Sequence, residues 1–251
     1  MINVGIIGCG FVGGALKDWL EHNNPECKLF ISDPAKGYND DLSNIEIAFL
    51  QIHVRTEDDG TQDLTLMKEL ISNLPDVPVF VRTTILPGTS ELLTKETGHR
   101  VHYMPEFLTE RTHIEDFKKQ TMVFTGALEL LTKIFVSKKF TVMTPLEAEL
   151  TKYMHNVFGA YKVTYFNACR ESCEKMGADW RTVHTGCLLS GYIHDTHTYV
   201  PGPDGKFGYG GKCFPKDVNA FTKMTQGTPL GILLAPLHEL NVHFRGEEEI
   251  I

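Results

Sequence analysis

A cysteine that directly follows a glycine-rich segment is the residue best suited to chemistry in this chain. Cys213 lies in the segment GYGGKCFPKD, residues 208–217, and the carboxylate of Asp217 follows one helical turn later. Glycines allow positive φ and let a ligand approach the backbone closely. A thiol on such a loop suits nucleophilic, covalent chemistry. Cys213 alone is equally compatible with a buried thiol, so its role depends on the residues that accompany it.

A second glycine pattern, near the N-terminus, indicates a nucleotide site. Gly8, Gly10 and Gly13 have the spacing GxGxxG, after an apolar run at 2–7, and a second apolar run ends at Asp33. In a strand–turn–helix context the first glycine makes the turn, the second admits a pyrophosphate, and the third lets helix and strand pack. Asp33 would accept hydrogen bonds from a ribose diol, which favours NAD over NADP. The alternative is a glycine turn in another α/β fold with an incidental acid.

Polar residues that follow two further predicted strands are additional candidates for a functional site. Thr84 follows a predicted strand at 78–83, and Glu106 follows one at 100–103. Ligands of open α/β sheets bind at the carboxyl ends of the strands, so both residues fall where a substrate would sit. Lys152 and Asn156 are four residues apart on a predicted helix and share one face. Each could instead be an ordinary solvated side chain.

The elements that position these residues divide the chain in two. Strands are predicted at 45–52, 78–83, 100–103, 121–125 and 139–143 with helical stretches between them, which indicates a parallel sheet. We therefore expect an α/β fold, with a shortened Rossmann-type, NAD-binding domain over 1–143. A mainly α-helical domain that carries the cysteine loop and mediates dimerisation is expected over 144–251.

The second half should begin with one long helix over 145–175. Shorter helices are expected at 179–188 and 219–223, with Asp217 capping a helix that begins near Val218. A last helical stretch, 230–244, should break or restart at Pro236. The intervening loop, 189–212, is long enough to be functional.

The amino-acid composition argues against a nucleic-acid-binding, membrane-spanning or disulfide-stabilised protein. The chain has 251 residues, 42% of them hydrophobic, and a formal net charge of −8, so nucleic acid and anionic membranes are not expected partners. No apolar run approaches the roughly 20 residues of a membrane helix, and no signal peptide is visible, which favours a cytoplasmic location. Six cysteines do not form a disulfide pattern in a chain of this size. No metal is expected: Cys169 and Cys173 are better interpreted as buried small residues, and His194 and His197 have no third ligand at metal spacing.

Five motifs, in order, resemble those of the UDP-glucose/GDP-mannose dehydrogenase family. The chain has GCGFVG, TTILPGT, MPEFLTER, AELTKYMHN and GGKCFPKD, where the family has GxGxxG, an STVPPGT-like segment, NPEFL-x-EG, AE-x-x-K-x-x-x-N and GGSCFPKD. The resemblance covers about residues 1–245. It implies oxidation of a sugar primary alcohol to a carboxylate with two NAD.

The resemblance also implies roles for individual residues. Cys213 would attack the aldehyde left by the first hydride transfer, and Lys152 and Asn156 would stabilise the oxyanion. Asp217 and Thr84 would position water, and Glu106 would activate it. The cofactor would lie against Gly8, Gly10, Phe11, Val12, Gly13, Asp33, Thr84 and Glu110. The substrate would lie against Phe107, Leu108, Lys152, Asn156, Tyr209 and Gly210, the last two in the loop 207–211.

The chain also departs from the family pattern, which leaves alternatives open. Full-length members have a further C-terminal nucleotide-binding domain, so the resemblance implies a compact form without it, and the first domain is shortened after Asp33. A homodimer through helix 145–175 is expected from the family. A two-electron hydroxyacid-type dehydrogenase, which needs Lys152 but not Cys213, and a non-catalytic NAD-binding subunit of a larger assembly are the alternatives.

Overall fold

The two apolar runs near the N-terminus form neighbouring parallel strands. In the computed structural model, which describes residues 1–246, strands β1 (Ile2–Ile7) and β2 (Cys27–Asp33) pair in register from Ile2 with Cys27 to Ile7 with Ser32. Helix α1 (Phe11–Asn23) connects them and buries Ala15, Leu16, Trp19 and Leu20 on one face. This is the strand–turn–helix–strand unit that the glycine pattern predicts.

A six-stranded sheet is built around this unit in the order β3-β2-β1-β4-β5-β6. The further strands are β3 (Tyr38–Asn39), β4 (Ile47–Leu50), β5 (Val79–Val81) and β6 (Val101–Tyr103). All pairings are parallel except that of β2 with β3, a two-residue strand that the sequence did not predict. Strands β2 and β4 lie on opposite sides of β1, so the direction in which strands are added to the sheet reverses there. Ligands of open parallel sheets bind at such a switch point. The predicted α/β class with a parallel sheet is confirmed.

The sheet is covered on both faces, as its apolar strands require. Phe49 of β4 packs in one apolar cluster with Leu16 and Trp19 of α1. Its neighbours Ala48 and Leu50 point the other way, into a second cluster that includes Met67. The other helices of this region are α2 (Thr65–Ser72), α3 (Thr89–Thr97), α4 (His113–Lys119) and α5 (Leu128–Ile134).

The last two predicted strands do not join the main sheet. Strands β7 (Met122–Phe124) and β8 (Phe140–Val142) form a separate two-stranded parallel sheet. The strand positions were predicted from the sequence, but their partners were not, because hydrophobic pattern does not specify which strands pair.

The chain divides into two compact units. The first unit comprises Met1–Arg55 and Gln62–Lys152, and the second comprises Thr56–Thr61 and the residues from Tyr153 onward. Helix α6 (Pro145–Met176) matches the predicted long helix, and the division falls inside it, after Lys152. The units therefore divide later than the boundary expected at 143/144, and residues 247–251 of the expected second domain lie outside the described residues.

The second unit is helical, with α7 (Trp180–Leu188), α8 (Phe214–Met224), α9 (Pro229–Leu234) and α10 (Leu237–Arg245). Asp179 caps α7 through Thr182 N, and the predicted restart at Pro236 separates α9 from α10. One expectation is wrong: α8 begins at Phe214, so Asp217 lies in its first turn and the N-cap is Cys213. The reason is Pro215, which is compatible with the first turn of a helix because its missing N–H has no partner there in any case.

Within residues 1–246, the helices are all too short or too polar to cross a membrane. The cytoplasmic location stays a prediction.

Candidate functional site

Of the three glycines in the turn between β1 and α1, two are required by close packing and one leaves room for a ligand. Gly8 has φ +84°, and a Cβ there would lie 2.4 Å from Gln51 O. A Cβ on Gly13 would lie 2.1 Å from Gly8 O, so this glycine allows helix and turn to pack. A Cβ on Gly10, the N-cap of α1, would meet nothing within 4 Å. The fold thus requires the first and third glycines, whereas the second faces open space at a helix N-terminus.

Asp33, at the end of β2, is hydrogen-bonded to the same turn. Asp33 Oδ2 accepts a hydrogen bond from Cys9 N at 2.7 Å, and Lys36 Nζ donates to Cys9 O at 2.7 Å. The carboxylate therefore lies beside the turn, where the ribose of a dinucleotide would be held if the glycines bind its pyrophosphate. Phe11 and Val12 are half-buried at the start of α1. These residues fit NAD; their contact with a cofactor stays a prediction.

The loop after β5 carries Thr84 and is held by side chains from other segments. Gln62 Nε2 donates to Thr84 O at 3.2 Å, and Gln62 Oε1 accepts from Leu86 N at 2.9 Å. Thr83 Oγ1 donates to Ile52 O at 2.8 Å. The backbone of Thr84 is therefore fixed at the carboxyl end of its strand, as the sequence predicted.

Glu106 and Lys152 form a buried ion pair in the first unit. Lys152 Nζ donates to Glu106 Oε1 at 2.9 Å and to Glu106 O at 2.5 Å, and the two side chains are only 3% and 6% exposed. Burial alone would raise the pKa of Glu106, but the Lys152 charge, its hydrogen bond, Leu108 N and the Arg82 charge together hold that pKa below its ordinary value. The carboxylate is therefore ionised.

The residues around this pair include the predicted substrate contacts of the first unit. Leu108 N donates to Glu106 Oε2 at 2.7 Å, and the Phe107 ring lies 5.6 Å from Lys152 Nζ. Glu110 is exposed, and its backbone carbonyl is bonded to the His113 ring. The structure thus brings Phe107 and Leu108 to the ion pair but leaves Glu110 on the surface.

Two buried charged residues in this region were not predicted. Arg82 is 1% exposed at the end of β5, its Nη1 donates to Val12 O at 3.4 Å, and burial lowers its pKa to about 10. Glu149 is completely buried and accepts hydrogen bonds from Gly88 N, Ser90 N and Ser90 Oγ at 2.6–2.8 Å. Burial raises the pKa of Glu149, against the effect of these hydrogen bonds. The only sequence signal was the position of Glu149 inside the AELTKYMHN motif.

In the second unit, the cysteine lies at the N-terminus of α8. Cys213 is half-buried, and Cys213 O accepts the helical hydrogen bond from Asp217 N at 3.0 Å. The positive end of a helix dipole favours the thiolate form of a cysteine. The thiol is therefore held at a helix terminus that suits nucleophilic chemistry.

Asp217 and Asn156 are joined directly. Asn156 Nδ2 donates to Asp217 Oδ2 at 2.7 Å, and Lys216 Nζ donates to Asp217 Oδ1 at 2.5 Å. Asp217 is fully buried and Asn156 is 5% exposed. The bond fixes the Asn156 amide and leaves one N–H of Nδ2 for another acceptor. The structure thus brings together two of the predicted residues, one turn from the cysteine.

The loop before the cysteine is fastened to helix α10. Asn241, which is fully buried, accepts from Tyr209 N at 2.7 Å and donates to Tyr209 O at 2.9 Å. A Cβ on Gly210 would lie 2.4 Å from the Arg245 guanidinium, so that glycine allows the close packing. Arg245 also donates to Phe207 O and Gly208 O. These contacts fix the segment 207–211 that the sequence predicts as a substrate contact.

Within residues 1–246, no group of three or more His, Cys, Asp and Glu side chains is arranged to hold a metal ion. Cys173 is buried with Phe166 and Trp180, and Cys169 packs against the same cluster, as small apolar residues would.

Comparison with known proteins gives a consistent family. Residues 146–239 match the central domain of the UDP-glucose/GDP-mannose dehydrogenase family. The chain is 26% identical over 278 residues to UDP-glucose 6-dehydrogenase of Rickettsia felis, covering 90% of this chain and 61% of the relative. It is 31% identical over 230 residues to that of Rhizobium meliloti, covering 79% of this chain and 52% of the relative.

The fold agrees with a solved structure of the same kind. The UDP-glucose dehydrogenase from Pyrobaculum islandicum has a TM-score of 0.77 and 23% identity, covering 97% of this chain and 68% of that one. The chain spans about half to three fifths of the length of the curated relatives. By its sequence motifs and its central domain, the chain belongs to the UDP-glucose/GDP-mannose dehydrogenase family.

Proposed function

We propose that the protein oxidises a primary alcohol of a nucleotide sugar to a carboxylate, in two hydride transfers, through a covalent intermediate on Cys213. The observation that carries the proposal is the position of Cys213 as N-cap of α8, one turn before an Asp217 bonded to Asn156. A cysteine that only packs needs neither the helix terminus nor the buried polar pair. These residues lie within the part of the chain that matches the family's central domain.

The glycine turn supports a dinucleotide cofactor. Open space beside Gly10 and the carboxylate of Asp33 at the turn suit the pyrophosphate and a ribose, respectively. When bound, NAD supplies the acceptor for a hydride in each of the two oxidations. The chain's own residues then have to hold the substrate, bind the developing charge and supply the nucleophile.

The proposed reaction at Cys213 has four steps. Loss of one hydride and one proton converts the alcohol to an aldehyde, and the Cys213 sulfur adds to its carbonyl carbon to give a thiohemiacetal. Loss of a second hydride and proton gives a thioester, and water cleaves the C–S bond to release the acid and the thiol. Overall, one water is consumed and two cofactors are reduced. The covalent bond retains the aldehyde between the two oxidations.

Lys152 and Asn156 are suited to bind the oxyanion. The Lys152 ammonium has three N–H donors, of which two are directed to Glu106, so one can bind a substrate oxygen. Asn156 likewise keeps one N–H after its bond to Asp217. A donor of this kind contributes about 3–4 kcal/mol of transition-state stabilisation. Glu106 would accept the proton of the attacking water, and Thr84 and Asp217 would orient that water.

The reaction stoichiometry tests the proposal. UDP- and GDP-sugars and free sugar phosphates are screened for NAD reduction, and NADH and acid are counted per substrate. We expect two NADH per acid for the wild type and no acid from Cys213→Ser, with Cys187→Ser, an exposed cysteine on α7, behaving as the wild type. Acid formation by Cys213→Ser at the wild-type rate would refute the covalent mechanism.

The same experiment separates the alternatives. One NADH per substrate, unaffected by Cys213→Ser but lost in Lys152→Ala, would indicate a two-electron, hydroxyacid-type dehydrogenase. NAD binding without turnover of any candidate, alone or with partner proteins, would indicate a binding subunit.

We also propose that the protein is a homodimer through α6. The part of α6 in the second unit exposes Met154, Phe158 and Tyr165 to 53%, 66% and 55%. Their spacing places them along one side of the helix, and Phe158 lines an apolar cleft of about 700 Å³. A stripe of large exposed apolar side chains of this kind is typical of an interface.

A further inference from the structure

Glu149 closes the N-terminus of a helix that cannot cap itself. Helix α3 begins after Gly88, whose φ is +90° and which has no side chain to accept a hydrogen bond. Glu149 Oε2 accepts from Gly88 N at 2.6 Å, and Oε1 accepts from Ser90 N at 2.8 Å and Ser90 Oγ at 2.6 Å. The first backbone donors of a helix need such acceptors. A carboxylate on α6 therefore performs for α3 the role of an N-cap.

The same stretch of α6 also holds the next loop of the sheet. Lys152 follows Glu149 within one helical turn and is bonded to Glu106, in the loop after β6. Gly88 ends the loop after β5 that carries Thr84, and Ser90 lies in the first turn of α3, which follows. A single turn of helix α6 thus fastens the two loops that carry the proposed water-orienting and base residues.

On its other side, the Thr84 loop is attached to Gln62. Gln62 bonds Thr84 O and Leu86 N from an irregular segment, and its side chain is half-buried. Glu149, in contrast, is completely buried and is carried by a helix. Glu149 therefore adds a buried, helix-borne attachment of this loop to the bonds made by Gln62 and by Thr83.

We propose that Glu149 is a positioning residue, which fixes the Thr84 loop relative to Lys152 and Glu106. The inference rests on the proposed function for its kinetic consequence, but its structural part does not. Because the hydrogen bonds of Glu149 run to the backbone and hydroxyl groups of Gly88 and Ser90, we expect its effect on the reaction to pass through the loop.

Glu149→Gln is the sharpest test, since its amide can accept from one of the two backbone donors but turns an N–H toward the other. Glu91→Gln removes the same charge from an exposed position in the first turn of α3 and serves as control. Ser90→Ala, which removes only the hydroxyl bond, is a milder variant in case the first does not fold. Amide hydrogen exchange of residues 86–91, kcat and KM are measured for each, in the full chain.

We expect faster exchange at residues 86–91 in Glu149→Gln, unchanged exchange in β4 and β5, and a loss of about 10²-fold in kcat, as for other small displacements of catalytic groups. In a double-mutant cycle, Thr84→Ala/Glu149→Gln should be no more than about threefold slower than Thr84→Ala alone, because both changes act through one residue. Glu91→Gln should match the wild type.

Three results would overturn the proposal. Unchanged exchange at residues 86–91 in Glu149→Gln would show that the carboxylate does not fix the loop. Faster exchange with wild-type kcat and KM, or full additivity with Thr84→Ala, would limit Glu149 to folding stability. If the wild type turns over no nucleotide sugar, the proposed function fails, and the exchange measurement still decides whether Glu149 holds the loop.

Discussion

The ammonium group of Lys152 binds Glu106 twice, through the side-chain carboxylate at 2.9 Å and through the backbone carbonyl at 2.5 Å. A buried cation with one partner could relax by moving that side chain. Lys152 is instead attached to the loop itself, so the position of the loop and the charge of its carboxylate are set by the same group.

Removing this lysine should destabilise the protein far more than removing an exposed one. Lys152→Ala leaves the buried Glu106 carboxylate without its counter-charge, and we expect a loss of about 3–5 kcal/mol in the free energy of unfolding. Lys175→Ala, which breaks an exposed pair with Glu171 on the same helix, should cost about 0–1 kcal/mol. Urea denaturation measures both. Equal losses would contradict the structural role of the buried pair.

The pair should also make stability depend on pH. The folded-state pKa of Glu106 lies below its ordinary value of 4.5, so its contribution is fully present above that value and is lost as the pH falls through the folded pKa. Glu106→Gln resembles the protonated state. Its deficit in unfolding free energy relative to the wild type should therefore be largest near neutral pH and shrink toward pH 3, whereas that of the exposed Glu26→Gln should stay near zero. A deficit that does not change with pH would refute the prediction.

The sequence predicted the residues whose chemistry leaves a local signature. Gly8 and Gly13 were identified because positive φ and a close backbone contact exclude side chains there. Glu149 and Arg82 were missed because their partners are mainly backbone groups or distant charges, which leave no pattern in the sequence.

The start of α8 and the pairing of β7 with β8 were missed for a similar reason. The start of α8 was placed near Val218, with Asp217 as its cap, although the helix begins at Phe214 and Pro215 lies in its first turn. The separate pairing of β7 with β8 was equally hidden, since strand partners depend on tertiary packing.

Substitution of Gly10 should affect cofactor binding, whereas substitution of Gly13 should affect folding. The Cβ that Gly10→Ala adds would meet nothing within 4 Å, so the free energy of unfolding should change by no more than about 0.5 kcal/mol. It should nevertheless weaken NAD binding about tenfold or more, because its Cβ enters the space left for the pyrophosphate. Gly13→Ala, whose Cβ would lie 2.1 Å from Gly8 O, should cost about 1–3 kcal/mol without any cofactor. Thermal unfolding and titration calorimetry distinguish the two; wild-type NAD affinity in Gly10→Ala would refute the assignment of the site.

Asn241 should influence the reactivity of Cys213 through the loop 207–211. Asn241→Ala leaves the buried N–H and C=O of Tyr209 unsatisfied, at a cost of about 1–3 kcal/mol each. The loop 207–211 then loosens, so we expect the rate of Cys213 alkylation by iodoacetamide, followed by peptide mass spectrometry, to change. Asn219→Ala, which loses the bonds to Glu57 O and Asp58 O, serves as control. An unchanged rate in a destabilised Asn241→Ala would limit that residue to stability.

The proposed dimer gives the most direct test of the apolar side of α6. Phe158→Arg places a charge at a side chain that is 66% exposed in the single chain, so it should barely change the stability of a monomer. If Phe158 is covered by a second copy, the buried charge has no partner and the dimer should dissociate. Sedimentation velocity should show a dimer for the wild type, a monomer for Phe158→Arg, and a dimer for Glu174→Arg, which changes an exposed residue on the opposite side of the same helix. A monomeric wild type, or a Phe158→Arg dimer of unchanged affinity, would exclude this side of α6 as the interface, because a charge at its most exposed aromatic side chain cannot be accommodated in a packed apolar contact.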